Sequence, residues 1–435
     1  MERIKQLAAH LTGPSSGRAA LERKSPDDVV ITMAIRSPLC KAKKGGFRDA
    51  RTDELMLEMY KQSIAHSNID PSLVGDICVG TVLTPDAMYA ARAAALAAGY
   101  PDTVPVQVIN RFCSSGLMSV TTIANQIRSG QIEIGLAIGV ESMSENPDKG
   151  GPSQSELISV NQAACDCKER MGWTSENVAA EFNVTRAEQD EFAATSFQRA
   201  EHAQKSGYFE KEIVPFTVFQ KDPKTGERKR VVVAEDDGIR PGTTTESLAK
   251  IKAAFPQWGN STTTGGNASQ ITDGAAAILL MTRRKAEELG LKVLAKHRTT
   301  AVAGCPPRIM GIGPVYAIPM ALTHCGLALS DVDLFEINEA FASQCLYTIK
   351  KLDLPRDKVN VNGGAIAFGH PLDKYHPQAP IMANEILTLL RWARCTGARQ
   401  LVTGLNELAR RNQKVLVTSM CIGTGMGAAG VFVRE

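Results

Sequence analysis

The chain has 435 residues, which is more than one hydrophobic core usually supports, so two or more domains are expected. The net charge of +3, in a chain that is 43% hydrophobic and 22% charged, does not indicate a nucleic-acid partner. No uninterrupted apolar run approaches the ~20 residues of a membrane helix, so no membrane insertion is expected. The ten cysteines include no C-x-x-C pair, which favours reduced, intracellular thiols and predicts no metal site.

The N-terminal residues 1–26 are predicted to be a targeting leader. Arg3, Leu7, His10 and Leu11 fall on one face of a helix. The pattern resembles the type 2 peroxisomal targeting signal, which an import receptor reads. It therefore predicts a peroxisomal location and an import receptor as a partner, and a frayed terminal helix is the alternative.

Strand-like runs alternate with helical patterns along the chain, which indicates an α/β fold. Residues 28–34 and 134–140 are such runs. The segments beginning at Asp76 and Asp333 are similar and lie 257 residues apart, and the same offset separates Cys113 from His370. The sequence therefore predicts a duplicated unit with two candidate catalytic residues at matching places.

The duplication is interrupted in its first copy. The apolar segment at residues 273–280 resembles that at 426–433, but the offset there has fallen to 153 residues, so the first copy holds an extra segment. We expect an inserted domain at 145–265. The charged run at 221–230 is more simply a solvated hairpin tip than a binding patch, although its basic side chains could receive a phosphate.

The predicted first half comprises residues 27–144 and 266–292. The inserted domain is expected at 145–265, and the second half at 293–435.

Cys113 is the strongest candidate nucleophile. A strand-like run at residues 104–109 precedes it, and a helix is expected to open at Ser114-Ser115. A helix N-terminus stabilises a thiolate through its unpaired N–H groups, so this arrangement suits nucleophilic catalysis. A buried, inert cysteine is the alternative.

Three further motifs could join Cys113. His370 follows a glycine-rich approach and is a candidate base for the thiol proton. Cys421 begins a glycine loop in which a second thiol could transfer protons at a carbon acid, and N–H groups could stabilise an oxyanion. That loop is not a dinucleotide fingerprint, because no βαβ unit follows it. Asn338 is either a helix cap or an oxyanion-hole member.

Together these motifs closely resemble the thiolase family. They are Asn110 to Gly116, Asn338 to Phe341, Gly363 to Pro371 and Cys421 to Gly427, in the family's order. The resemblance implies two βαβαβαββ halves stacked in five layers, α-β-α-β-α, with an inserted loop domain and a homodimeric assembly. With the targeting signal, it points to the peroxisomal members.

The resemblance also implies roles for individual residues. Cys113 would be the acylated nucleophile, His370 its activating base and Cys421 the acid/base at the acetyl methyl carbon. Asn338, through a water, would join His370 in one oxyanion hole, and the N–H groups of Cys113 and Gly423 would form the other.

The implied activity is thiolytic cleavage of 3-ketoacyl-CoA in fatty-acid β-oxidation. Ser269 would contact the pantetheine of coenzyme A, which is the second substrate and not a cofactor; no metal or redox cofactor is implied. A ketoacyl synthase is disfavoured, because Cys421 stands where that class has its second histidine.

The chain departs from the family pattern directly after His370. The family runs His-Pro-x-Gly-Cys-Thr-Gly-Ala-Arg, whereas here Asp373 replaces the glycine and 21 residues, Lys374 to Arg394, precede the resumed motif. One hypothesis is a retained intron or gene-model error, and another is a surface excursion with a short helix at Ile381 to Trp392. If the insertion misplaces the catalytic groups, the alternative function is an impaired, thiolase-like acyl-CoA or lipid binder.

Overall fold

The structure is a computed structural model that describes residues 17–147, 152–369 and 396–435. The predictions made for His370, for the 374–394 insertion and for the targeting helix lie outside these residues. Within them, no helix combines the length and the apolar character needed to cross a membrane.

The described residues form alternating strands and helices, as the periodicity predicted. The strands are β1 Val29–Arg36, β2 Cys40–Lys41, β3 Asp76–Gly80, β4 Val106–Ile109, β5 Ile134–Glu141, β6 Phe216–Lys221, β7 Arg228–Val233, β8 Thr272–Thr282, β9 Ala295–Gly304, β10 Leu334–Ile337, β11 Val415–Ile422 and β12 Met426–Arg434. The helices are α1 Arg18–Glu22, α2 Thr52–Ser67, α3 Ala87–Ala98, α4 Ser115–Arg128, α5 Glu156–Ser159, α6 Gln162–Asp166, α7 Met171–Glu181, α8 Arg186–Lys205, α9 Thr245–Ala249, α10 Arg283–Glu288, α11 Gly313–Cys325, α12 Ala342–Leu352, α13 Ala365–Phe368 and α14 Thr396–Arg411.

The two halves of the chain repeat one sheet topology, which confirms the predicted duplication. The first half has the strand order β1-β8-β5-β3-β4, and the second has β9-β12-β11-β10. A parallel bridge between Phe335 and Val359 occupies the place of β4 in the second half. Strands β1 and β9 pair only at Val30 and Ile31, so the hydrogen-bonded connection between the two sheets is short.

Helices and sheets stack in five layers. Helices α2 and α3 cover the outer face of the first half, and α11 and α12 cover the outer face of the second. Helices α4 and α14 lie between the halves and share one buried apolar cluster with strands of both. Each sheet is therefore buried on both faces, which explains why its strands are almost continuously apolar.

The inserted domain lies between β5 and β8. It contains α5 to α9 and the separate hairpin β6–β7, whose turn carries the charged run, as predicted. A buried ion cluster attaches it to β1: Arg36 donates to Glu212 at 2.6 Å and to Asp236 at 2.7 and 2.8 Å. The inserted domain is thus bound to the core by fully buried charges and not by loop contacts alone.

Gly80 marks the closest approach of β3 to α4. A Cβ at this position would lie 2.3 Å from the backbone oxygen of Ser115. Gly80→Ala is therefore expected to displace α4 and lower the free energy of unfolding by about 1–3 kcal/mol. Chemical denaturation would measure the change. The matched control is Gly304→Ala, whose Cβ has no atom within 4 Å; equal stability of the two variants would contradict the prediction.

Candidate active site

Cys113 lies in a sharp turn between β4 and α4. The turn is a 3₁₀ helix over Phe112–Ser114, and α4 begins at Ser115, so the predicted strand, turn and helix N-terminus are confirmed. Phe112 has a φ of 48°, a left-handed conformation that is strained for a bulky residue. The Ser115 hydroxyl accepts from the N–H of Arg111 at 2.9 Å and donates to the carbonyl of Phe112 at 2.8 Å. These bonds hold the turn that carries Cys113.

Cys421 lies in a strand and not in the glycine loop itself, which corrects the sequence interpretation. It is the penultimate residue of β11 and pairs with Gly427 across the hairpin. Gly423 is the first residue after β11 and is buried. Gly425 turns the chain with a φ of 89°. The strand fixes the direction of the Cys421 side chain because its backbone is held in register with Gly427 of β12.

The fold brings the two thiols into one buried cluster. Cys113 and Cys421 are both 0% exposed and share an apolar cluster with Met171 and Phe341. The Cys113 turn packs directly against β11. This arrangement places two sulfur atoms, from different halves of the chain, against a common apolar lining.

The Cys421 thiol is held in its protonated form. Burial, with a smaller contribution from the neighbouring Cys305, raises its pKa to about 12. A thiol with such a pKa keeps its proton near neutral pH and can deliver it to a strongly basic carbon. The environment therefore suits a proton donor.

Asn338 and Ser269 belong to adjoining segments beside this cluster. Asn338 is buried directly after β10, and its N–H donates to the carbonyl of Ser419 on β11 at 2.8 Å. Helix α12 begins at Ala342, so the alternative that Asn338 caps it is wrong. Ser269 donates to the carbonyl of Ala340 through its N–H at 3.1 Å and its hydroxyl at 3.0 Å.

The described chain reaches Gly369, one residue before His370. Gly369 ends α13 with a φ of 109°, and a Cβ there would lie 1.6 Å from the hydroxyl of Thr272. Glycine is required at this position both by the backbone conformation and by the close approach. The sequence prediction of a glycine-dependent approach before His370 thus holds up to that point.

Comparison with known proteins decides the family. The thiolase N-terminal domain matches residues 29–284, and the thiolase C-terminal domain matches residues 291–376 and 393–434. The chain belongs to the thiolase family. It is 48% identical to the human peroxisomal 3-ketoacyl-CoA thiolase over 99% of each chain, and 48% identical to that of Yarrowia lipolytica over 100% of each. The crystal structure of the dimeric peroxisomal thiolase of Saccharomyces cerevisiae aligns with a TM-score of 0.84 at 44% identity, covering 96% of this chain and 100% of that one.

The thiolase match is interrupted in one place. Residues 377–392 fall between the two matched parts of the C-terminal domain. This gap lies within the segment at 374–394 that departs from the family motif. The thiolase C-terminal domain matches on both sides of it.

Sequence reasoning missed two residues that line this thiolase site. Met171 opens α7 of the inserted domain, Met310 precedes α11, and both pack in the cluster of Cys113 and Cys421. No motif surrounds either methionine, and they are distant in the chain from both thiols. Their long, flexible side chains make the environment apolar.

The protonation state of Cys421 can be tested in this thiolase. Because burial disfavours the thiolate, its ionisation should be displaced from ~8.5, the value of a free cysteine, towards pH 12. The parent and a Cys421→Ser variant are then expected to show the same thiolate absorbance between about pH 7 and 10. A difference that develops near pH 8.5 would contradict the prediction.

Proposed function

We propose that this chain catalyses thiolytic cleavage of 3-ketoacyl-CoA by coenzyme A, giving acetyl-CoA and a shortened acyl-CoA. The observation that carries the proposal is the buried pairing of Cys113 with the protonated Cys421 at the meeting point of the two halves. The full-length similarity to 3-ketoacyl-CoA thiolases supports the substrate class. The enzyme is accordingly an acyltransferase of fatty-acid β-oxidation.

The proposed reaction has two half-reactions. His370 takes the Cys113 proton, and the thiolate attacks the C3 carbonyl of the substrate. The C2–C3 bond then breaks, which leaves the acyl group on Cys113 as a thioester and expels acetyl-CoA as an enolate. Cys421 donates its proton to the enolate carbon. The thiol of coenzyme A next gives its proton to the Cys421 thiolate and attacks the thioester, so that the shortened acyl group leaves as its CoA thioester. Cys113 is expelled as a thiolate and regains its proton from His370, which returns every group to its starting state.

Two oxyanion sites complete the proposed chemistry. Asn338 would act through a water together with His370, and the N–H groups of Cys113 and Gly423 would form the second site. Ser269 would contact the pantetheine arm of coenzyme A. No metal or redox cofactor takes part in the proposed steps, and coenzyme A enters as a substrate.

The chain beyond the insertion is anchored as an active enzyme requires. Helix α14 spans Thr396–Arg411, and its Arg399 forms a buried ion pair with Glu336 at 3.2 Å. Gln400 donates to the carbonyl of Glu336 at 2.9 Å, and Gly397 packs on the backbone of Leu117 next to the Cys113 turn. These contacts favour turnover over the alternative of an impaired acyl-CoA binder, because they hold α14 against both halves.

Cleavage of acetoacetyl-CoA, with acetyl-CoA as the measured product, tests the proposal. The full chain is expected to consume coenzyme A and 3-ketoacyl-CoA in equal amounts. A variant lacking 374–394 serves as the matched comparison, because it restores the spacing of the family motif. If only the deletion variant turns over, the full chain is instead an impaired acyl-CoA binder. If neither protein turns over, the proposal is refuted.

We also propose a homodimer in the peroxisome. The yeast structural relative is named as dimeric and the relatives are named as peroxisomal. Strand β4 lies at the edge of the sheet with half-buried residues, which suits pairing with a second copy. An import receptor would read the leader at residues 1–26. Analytical ultracentrifugation and the location of a fluorescent fusion, with and without that leader, test these two proposals.

A further inference from the structure

Glu339 is a buried carboxylate beside the active site to which the proposed reaction gives no role. It follows Asn338, and its side chain is 1% exposed. Both of its oxygens are occupied: Oε1 accepts from Asn360 Nδ2 at 2.8 Å, and Oε2 accepts from the Ser196 hydroxyl at 2.6 Å and the Ile366 N–H at 3.2 Å. A buried carboxylate is costly unless such donors surround it, so this position is built for a charged or strongly accepting group.

The donors come from three separate parts of the chain. Ser196 lies on α8 of the inserted domain, Asn360 follows the Val359 bridge, and Ile366 lies in α13. The Ser196 hydroxyl also accepts from the Gly364 N–H at 3.0 Å. Glu339 therefore holds two backbone N–H groups, one directly and one through Ser196, in the segment that leads to His370.

The same segment lies in direct contact with the carboxylate. A Cβ on Gly364 would stand 2.3 Å from the Glu339 carboxyl carbon, so only a glycine backbone can approach so closely. At the other end Gly369 packs on Thr272, and Gln270 donates to the carbonyl of Ala367 at 2.9 Å. Residues 364–369 are thus fixed at both ends before the chain reaches His370.

We propose that Glu339 is a positioning residue for thiolysis: with Ser196, it fixes the backbone at residues 364–369, the segment that directly precedes His370. The inference rests on the proposed function, in which His370 takes the Cys113 proton. Proton transfer requires hydrogen-bonding distance, so small shifts of this backbone have large consequences for rate.

The chemistry of the carboxylate makes Glu339→Gln a sharp test. Both Glu339 oxygens accept hydrogen bonds, whereas glutamine offers one accepting oxygen and one donating NH₂ group. The NH₂ group of the glutamine must therefore face donors: either the Nδ2 group of Asn360, or the Ser196 hydroxyl and the Ile366 N–H. The variant keeps the size of the side chain and removes one anchor of the segment.

Glu339→Gln is expected to lower kcat for 3-ketoacyl-CoA cleavage by about a hundredfold with KM nearly unchanged. The rate at which iodoacetamide alkylates Cys113, measured by peptide mass, should fall in this variant. The pH profile of that rate should shift upward, because the proposed base, His370, is displaced. Ser196→Ala should act in the same direction, and the double variant should be little worse than Glu339→Gln alone.

The control is Asp76→Asn, another buried carboxylate, which accepts from Gln107 and Gln126 at the amino end of β3. It should leave kcat and the Cys113 profile unchanged, whatever it does to thermal stability.

Unchanged kcat and an unchanged Cys113 profile in Glu339→Gln would overturn the inference, as would equal effects in Asp76→Asn. If Glu339→Gln does not fold, Ser196→Ala decides through the same two measurements. If the parent protein does not cleave 3-ketoacyl-CoA, the proposed function fails. The comparison of Cys113 alkylation between parent and variant still decides the role of Glu339.

Discussion

Cys113→Ala is expected to abolish thiolytic cleavage, with a loss of at least about 10⁴-fold in turnover. The reason is that the proposed acyl carrier is the Cys113 sulfur, and alanine offers no nucleophile at that position of the 3₁₀ turn. Incubation with 3-ketoacyl-CoA in the absence of added coenzyme A, followed by mass spectrometry, should show an acyl adduct on Cys113 in the parent and no adduct in the variant.

The matched control for this prediction is Cys78→Ala. Cys78 is as buried as Cys113 and lies in β3, within the apolar cluster between the halves. Its replacement removes the same sulfur volume from a core that takes no part in the chemistry, so stability should fall while turnover persists. Substantial turnover in Cys113→Ala, or an adduct that forms elsewhere, would contradict the assignment of the nucleophile.

Cys421→Ala is expected to stop proton transfer at the acetyl carbon, with a loss of about 10²–10⁴-fold in cleavage. The buried thiol, whose pKa is raised to about 12, is the proposed proton donor to the enolate. Proton nuclear magnetic resonance in deuterated water provides a direct measurement: the parent should exchange the methyl protons of acetyl-CoA, and the variant should not. Alkylation of Cys113 should continue in the variant.

Cys305→Ala is the control for Cys421→Ala. Cys305 neighbours the same hairpin, since its N–H donates to the carbonyl of Gly425 at 2.8 Å. Its replacement should leave methyl exchange intact, because the proposed donor remains. Persistent exchange in Cys421→Ala would remove Cys421 from the mechanism.

Local signals in the sequence were sufficient to predict the framework of the site. The strand at 104–109, the turn at Cys113 and the helix opening at Ser115 could be read from neighbouring residues, because each depends on local periodicity and backbone freedom. The repeat predicted that β3 and β10 occupy matching places, which the sheet order confirms.

Predictions that depended on distant partners were less successful. Asn338 and the helix after it illustrate this. The chain stays extended at Phe341 because it bridges to Ala268, and Ala342 donates to the carbonyl of Asn267 at 2.9 Å. The helix therefore starts three residues later than a cap at Asn338 would place it. Pairing with a segment some 70 residues earlier decided where the helix begins.

Glu339 is a second residue whose partners could not be predicted from the sequence. Its place in the Asn338-Phe341 motif was visible, but its three donors come from α8, the Val359 bridge and α13. Nothing in the sequence indicates that these segments meet at one carboxylate. Met171 and Met310 were missed for the same reason.

The sequence by itself determined the order of strands and helices, the duplication, and which residues could carry thiol chemistry, because these depend on residue type and short-range spacing. The tertiary structure alone decided that Cys113 and Cys421 share one buried cluster, that burial keeps the Cys421 proton in place, and that Glu339 holds the segment before His370. These properties arise from long-range packing and from the exclusion of water, which appear only once the two halves and the inserted domain come together.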